Sequence, residues 1–303
     1  MISDLSIQRA VPYRDLSRDT AIKWFLLTIV GLADWIWMAS AGFRVSPAYT
    51  YALPSILLLI CISLFYFYTG REQRIMEFAH FAAQLLALYA VTMPLTFLAV
   101  STNAPLHDNA FDGIDKAMGL DWVAWTQWMT GHPYLRWILA VVYGSLPVQG
   151  FFCYIYNVHT REFWRNTELW WATFISLIIT IAGSAAFPAM NPYVYYGLES
   201  SDRFIHMGQF LGLRDGTMRV VSTQIHEGLV QLPSFHTILA ILMTYNVRHN
   251  HWLLAFAVVL NAALIISCPT EGSHYFIDLF AGVAVAAVTI WGIRRFLTPQ
   301  CVN

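Results

Sequence analysis

The chain has 303 residues, of which 57% are hydrophobic and 12% charged, and its mean hydropathy is +0.53; these values exclude an ordinary soluble domain. A net charge of −1, with no concentrated basic stripe, excludes nucleic acid as a partner. The four cysteines, Cys61, Cys153, Cys268 and Cys301, imply no disulfide framework.

Residues 1–20 are polar and read as a cytoplasmic N-terminal segment. The apolar stretch that follows lacks a small-residue cleavage site and reads as a retained helix, not a signal peptide. From there to about residue 300 the chain reads as a single transmembrane domain. Apolar runs able to cross roughly 30 Å of hydrocarbon lie near 21–41, 50–69, 75–100, 134–157, 168–187, 229–247, 252–269 and 274–297. The expected fold is therefore all-α, a polytopic membrane bundle of about eight helices. Aromatic residues, 16% of the chain, suit anchoring at the two interfaces. Between the third and fourth runs, residues 107–132 alternate Asp108, Asp112, Asp115 and Asp121 with Trp122, Trp125 and Trp128. That pattern predicts an interfacial helix on the outer face. The connection 188–232 is too polar to enter lipid unprotected. Asp34, His80 and Gln84 interrupt apolar runs and are expected to hydrogen-bond between helices, with an acceptor channel as the alternative.

Eight crossings place 11 of the Lys and Arg residues on one face, among them Arg71, Arg74, Arg161, Arg165, Arg248, Arg294 and Arg295. The other face receives 6, namely Arg44, Lys116, Arg136, Arg203, Arg214 and Arg219. The richer face is expected to be cytoplasmic. Both termini then lie inside an inner membrane, and the long connections 101–133 and 188–232 lie outside.

The chemistry concentrates on that outer face in two strings that open apolar runs, Leu232-Pro233-Ser234-Phe235-His236-Thr237 and Gly272-Ser273-His274-Tyr275-Phe276-Ile277-Asp278. Pro233 suits a first helical turn, and the free N–H groups at a helix start form a seat for phosphate. His274 and Asp278, four apart, would share a helical face. A carboxylate there can accept from one ring nitrogen and leave the other free to attack. Pro-Ser can equally be only a cap, and a His-x-x-x-Asp pair only a structural hydrogen bond. Ionisable groups inside membrane helices are costly, which favours function. His206, His226, His236, His274 and Asp278 could converge on a metal, but no His-Glu-x-x-His or paired-cysteine spacing is present. Neither a metal nor any other cofactor is expected.

The two strings resemble the second and third signature motifs of the type 2 phosphatidic acid phosphatase superfamily, usually Pro-Ser-Gly-His and Ser-Arg-x5-His-x3-Asp. Phe235 in the Gly position, the run His274-Tyr275-Phe276-Ile277-Asp278, and Phe187-Pro188 followed by Asn191-Pro192 are similar to the inositol phosphorylceramide synthase branch. The resemblance covers roughly residues 105–290. It implies a phosphohistidine route with His274 as nucleophile, Asp278 orienting it, His236 protonating the leaving oxygen and Ser234 bonding the phosphate. The superfamily's first motif, Lys-x6-Arg-Pro, is absent, and Cys268 stands where the third motif has arginine. A buried phosphate still needs cationic donors, and Arg214 and Arg219 in the long outer connection are the expected substitutes. Arg214 pairing with Asp215 on a solvated surface is the competing reading, and Lys116 is a lesser candidate because Asp112 and Asp115 flank it.

The expected function is a membrane phosphotransferase that takes a lipid phosphate or phospho-head group from the bilayer and passes it to a lipid alcohol. Hydrolysis at the same site and a proton-coupled transporter are the alternatives.

Overall fold

The computed structural model describes residues 13–198, 201–222 and 229–297, with backbone only at 13–17 and 201–207. The fold is nearly all helical. In chain order it contains α1 (Tyr13–Ala41), the two-residue strand β1 (Arg44–Val45), α2 (Pro47–Thr50), α3 (Ala52–Thr69), α4 (Gln73–Ser101), α5 (Asp108–Ala117), α6 (Trp122–Thr130), α7 (Pro133–Gly144) and α8 (Leu146–His159). There follow α9 (Phe163–Ala186), α10 (Pro192–Tyr195), α11 (Ser201–Asp215), β2 (Val220–Val221), α12 (Phe235–Asn246), α13 (His251–Glu271) and α14 (Phe276–Phe296). The strands pair in parallel, Arg44 opposite Val220 and Val45 opposite Val221.

Six helical segments among the described residues are long and apolar enough to cross a membrane, or seven if α7 and α8 count as one span bent by 43°. The sixth expected run, 229–247, is the exception. Its helix α12 has 12 residues and, at about 1.5 Å per residue, is only about 18 Å long. The run is shorter because Ser234 caps the helix and residues 229–234 approach it as irregular chain. Exposed apolar side chains such as Phe25, Trp35, Leu58, Phe65, Phe256, Val259 and Trp291 coat the outside, as lipid-facing surfaces require.

The inner helices α12, α13 and α14 pack with α8 and α9 around Ile238, Leu242, Leu264, Cys268 and Ile293, each at most 2% exposed. A second cluster joins α1, α4 and α9 through Leu27, Phe81, Leu88 and Trp170. Small residues allow the closest approaches. A methyl group on Gly282 of α14 would come within 2.8 Å of the Ser234 carbonyl oxygen and 3.0 Å of Thr237 Cβ, so glycine there lets α14 lie directly on the start of α12.

At the end of the bundle away from the two long connections, polar side chains tie the helices together. Arg248 grips Glu168 through two bonds of 2.8 and 2.9 Å, and Asn157 bridges Asn166 and Asn246. His80 lies 3.0 Å from Gln84 Nε2 and 3.3 Å from Thr20 Oγ1, so it links α4 to α1. Asp34 is buried, and neither of its oxygens has a hydrogen-bond partner among the described residues.

The stretch 107–132 is two short helices, and the acidic face of α5 turns inward instead of lying on a water interface. Asp108, Asp112 and Asp115, spaced i, i+4 and i+7, are all buried. They are retained inside because the ends of other elements offer them N–H and O–H donors. Asp108 accepts from Met190 N, Asn191 N and Tyr275 Oη. Asp112 holds Tyr196 Oη and, at 2.7 Å, Lys116 Nζ. Asp115 accepts from Phe276 N at 2.7 Å and Ile277 N at 2.8 Å, capping α14.

Candidate active site

The two motif strings meet at one end of the bundle. Ser234 N donates to the Asp278 carbonyl at 2.9 Å, which fixes the start of α12 against the start of α14. In the first string the helix begins only at Phe235, so Pro233 precedes the cap instead of occupying the first turn. Ser234 is the N-cap, its Oγ accepting from Thr237 N at 3.4 Å and Thr237 Oγ1 at 3.2 Å, and it is fully buried. It satisfies a helix-start donor.

The second string also differs from a simple helical face. Helix α14 begins at Phe276 with Tyr275 as N-cap in an extended conformation, and His274 stands outside the helix. Asp278, at the third helical position, reaches back: its Oδ2 accepts from Tyr275 N at 3.0 Å and from His274 Nδ1 at 3.1 Å. One carboxylate thus closes the helix start and holds the imidazole, with Nε2 as the remaining ring nitrogen. Asp278 is fully buried and His274 is 4% exposed. Ser273 adopts a left-handed φ of 57°, the kind of backbone cost that persists where the surroundings impose it. Gly272 is required by crowding: a methyl group there would lie 2.9 Å from each of Cys268 O, His274 Cδ2 and Tyr143 Oη.

His236 projects from the first turn of α12. Its Nδ1 lies 3.1 Å from Tyr143 Oη, and the two rings stack at 4.3 Å between centroids and 18° between planes. Tyr143 comes from the end of α7, immediately before the break at Ser145. His236, His274, Tyr143, Gln231 and Glu271 all line one cavity of about 730 Å³. Gln231 supports the loop from that wall, donating to Ser273 O at 2.9 Å, and Glu271 accepts from Arg136 Nε at 3.1 Å. The remainder of the cavity wall is largely apolar, with Met93 and Phe97 of α4, Leu177 of α9 and Phe235.

The structure therefore brings His236, His274 and Asp278 together, 38 and 42 residues apart along the chain for the His236–His274 and His236–Asp278 pairs. It does not bring the loop arginines to them. Arg214 Nη2 donates to Ala104 O at 2.6 Å and its guanidinium lies 5.4 Å from the Phe210 ring centroid. Burial lowers its pKa, opposed by Asp108. Arg219 Nη1 donates to Leu213 O at 2.9 Å and stacks on Phe43. Neither arginine nor Ser234 is among the residues lining the cavity. Asp215 does not take Arg214 as its hydrogen-bond donor; its Oδ1 accepts from Thr217 N and Thr217 Oγ1, and those two bonds hold its pKa below the ordinary value.

His226 and the side chain of His206 lie outside the described residues. Among the described residues no group of three or more His, Cys, Asp or Glu side chains is placed to hold a metal ion. Cys268, at the position of the missing motif arginine, is buried beneath the site with its Sγ 3.9 Å from Thr237 Oγ1. Its carbonyl accepts from Gly272 N at 3.0 Å and His274 N at 3.3 Å.

Sequence reasoning missed Tyr143, Gln231 and Glu271, which sit in runs that look like ordinary helix or loop. It also read Asp108 and Asp115 as surface acids. An i, i+4, i+7 acid pattern on a helix too short to be an ion-pair lattice was the available signal for the latter.

Searches of curated proteins and of solved structures returned no match. The model of the PAP2 superfamily matches residues 109–292, a span that begins in α5, contains both motif strings and ends within α14. The chain belongs to the PAP2 superfamily.

Proposed function

We propose that this chain is a membrane phosphotransferase that moves a phosphoryl or phospho-head group from a lipid to a lipid alcohol through a phosphohistidine on His274. The observation that carries the reading is the cavity wall on which a carboxylate-held imidazole and a second imidazole both open. His274 Nε2 attacks phosphorus and forms the N–P bond as the ester P–O bond breaks. The Nε2–H of a charged His236 gives its proton to the leaving oxygen. In the second half an alcohol loses its proton to His236 Nε2, its oxygen bonds phosphorus, and the N–P bond breaks. Two-step transfer through an activated nucleophile needs positioning and charge stabilisation more than any further group. Asp278 keeps the proton on His274 Nδ1 and balances the charge that the ring gains.

Apolar residues over much of the cavity support a lipid for both donor and acceptor. The phosphate-binding role expected of Ser234, Arg214 and Arg219 has no cavity contact behind it, so the reading rests on the two histidines and Asp278. Counted over eight crossings, with the short α12 taken as one of them, the 11-to-6 split of basic residues supports a site on the extracytoplasmic side with both termini inside.

Purified protein incubated with a labelled phospholipid, with and without a lipid alcohol such as diacylglycerol or an N-acyl amino alcohol, tests the proposal. Label moving to the alcohol only when it is present supports transfer. Release of free phosphate or free head group regardless of acceptor reassigns the site to hydrolysis. Unchanged phosphoester turnover by His274→Ala removes the enzymatic reading and leaves a transporter.

A further inference from the structure

The two imidazoles are held by chemically different partners. His274 Nδ1 meets the Asp278 carboxylate at 3.1 Å, whereas His236 Nδ1 meets a neutral phenol, Tyr143 Oη, at the same separation. The difference is not forced by sequence neighbourhood, since Asp278 lies four residues from its histidine and Tyr143 lies 93 residues from His236. The break between α7 and α8 at Ser145, braced by Ser145 Oγ donating to Val142 O at 2.6 Å, leaves Tyr143 on the last turn of α7 with its ring flat against His236.

We infer that Tyr143 is the positioning residue for His236, and that its neutrality keeps His236 an effective proton donor to the leaving oxygen. This rests on the phosphotransfer reading above. A charged imidazole carries a proton on each nitrogen, so the hydroxyl oxygen must then accept from Nδ1–H. That bond fixes the ring and leaves Nε2–H as the proton to be transferred. After transfer His236 is neutral, Nδ1–H stays on Tyr143, and Nε2 is ready to take the proton of the incoming water or alcohol. A carboxylate in the same place would favour the charged ring and hold the proton back, as suits a nucleophile's partner and not an acid's. The site therefore contains one histidine made more nucleophilic by an anion and one kept willing to release its proton by a neutral acceptor.

The test is leaving-group dependence in the full-length protein, with diacylglycerol present as acceptor. Dodecyl phosphate expels an alkoxide that must be protonated, while p-nitrophenyl phosphate expels a stable anion. Tyr143→Phe keeps the stacked ring and removes the oxygen. Its kcat on dodecyl phosphate is expected to fall about 10- to 100-fold, within the range of general acid catalysis, with KM unchanged. Its loss on p-nitrophenyl phosphate is expected to be at least about tenfold smaller. The double variant with His236→Ala should lose no more on dodecyl phosphate than His236→Ala alone, because residues acting as a unit are not additive. 3-Fluorotyrosine at 143, which retains volume and hydroxyl but weakens the oxygen as acceptor, should show a smaller loss confined to dodecyl phosphate. Equal losses on the two substrates for both replacements, an unaltered kcat on dodecyl phosphate, or losses that multiply in the double variant overturn the inference. A wild-type chain that turns over neither substrate with the acceptor present refutes the phosphotransfer reading, and this inference with it.

Discussion

Asp115 offers the sharpest test of how the fold builds the site, because among the described residues both hydrogen bonds of its side chain go to the start of the helix that carries Asp278. Its two oxygens accept from Phe276 N and Ile277 N at 2.7 and 2.8 Å, and the residue is 1% exposed. Hydrogen bonds to a charged group contribute about 1.5–3 kcal/mol each, and an anion at a helix start adds about 0.3–1 kcal/mol. Burial opposes this: it raises the pKa of Asp115 above the ordinary 3.8, helped by the charge of Asp112 and resisted by the two N–H bonds. The lower end of the range therefore applies, and Asp115→Ala should destabilise the chain by about 3 kcal/mol. Asp115→Asn, which keeps one carbonyl oxygen, should cost about half of that. The same loss frees the backbone just after His274, and a displacement near 1 Å at a reacting group can cost about 100-fold in rate. Equilibrium unfolding in detergent, followed by tryptophan fluorescence, and phosphoester turnover would be measured together. The sign with pH follows from the raised pKa. The folded chain holds this proton more tightly than the unfolded one, so the stability contributed by this group declines as pH rises from 3.8 through its folded value. Asp115→Asn should remove that part of the slope. An Ala variant within about 0.5 kcal/mol of wild type and with unaltered kcat would refute the assignment of α5 as the clamp on α14.

Asp278→Asn should leave the fold intact and lower kcat by about 10³- to 10⁴-fold, as loss of the tautomer-setting carboxylate does in other acid–base sites; KM for the donor should stay level, and a loss below tenfold would show that His274 is oriented by something else. Arg214→Ala and Arg219→Ala should each lower kcat/KM by less than about threefold, against the 10²- to 10³-fold that removal of a group stabilising the transition state costs; a loss in that higher range would return a guanidinium to the phosphate. Gly282→Ala forces a methyl against Ser234 O and Thr237 and should destabilise by about 1–3 kcal/mol, read as a lower unfolding midpoint.

The membrane class, the position of six of the eight apolar runs, or seven with the bent α7–α8 pair counted as one, and the two motif strings were legible in the sequence because each depends on local properties. Hydropathy over twenty residues identifies a span, and a histidine four residues from an aspartate needs only one helix start to meet it. Even there the local geometry differed, since His274 lies outside α14 and Asp278 reaches back to it as a capping residue. What the sequence could not disclose depends on contacts across long stretches of chain. Asp115 reaches Phe276 across 161 positions, Asp108 reaches Tyr275 across 167, and Tyr143 finds His236 across 93. An acid on a short amphipathic helix has the same composition whether it faces water or caps another helix, and only packing decides which. The arginines of the long connection were nominated for their charge, which a sequence displays; their bonds to Ala104 O and Leu213 O follow from where backbone carbonyls fall once the chain has folded.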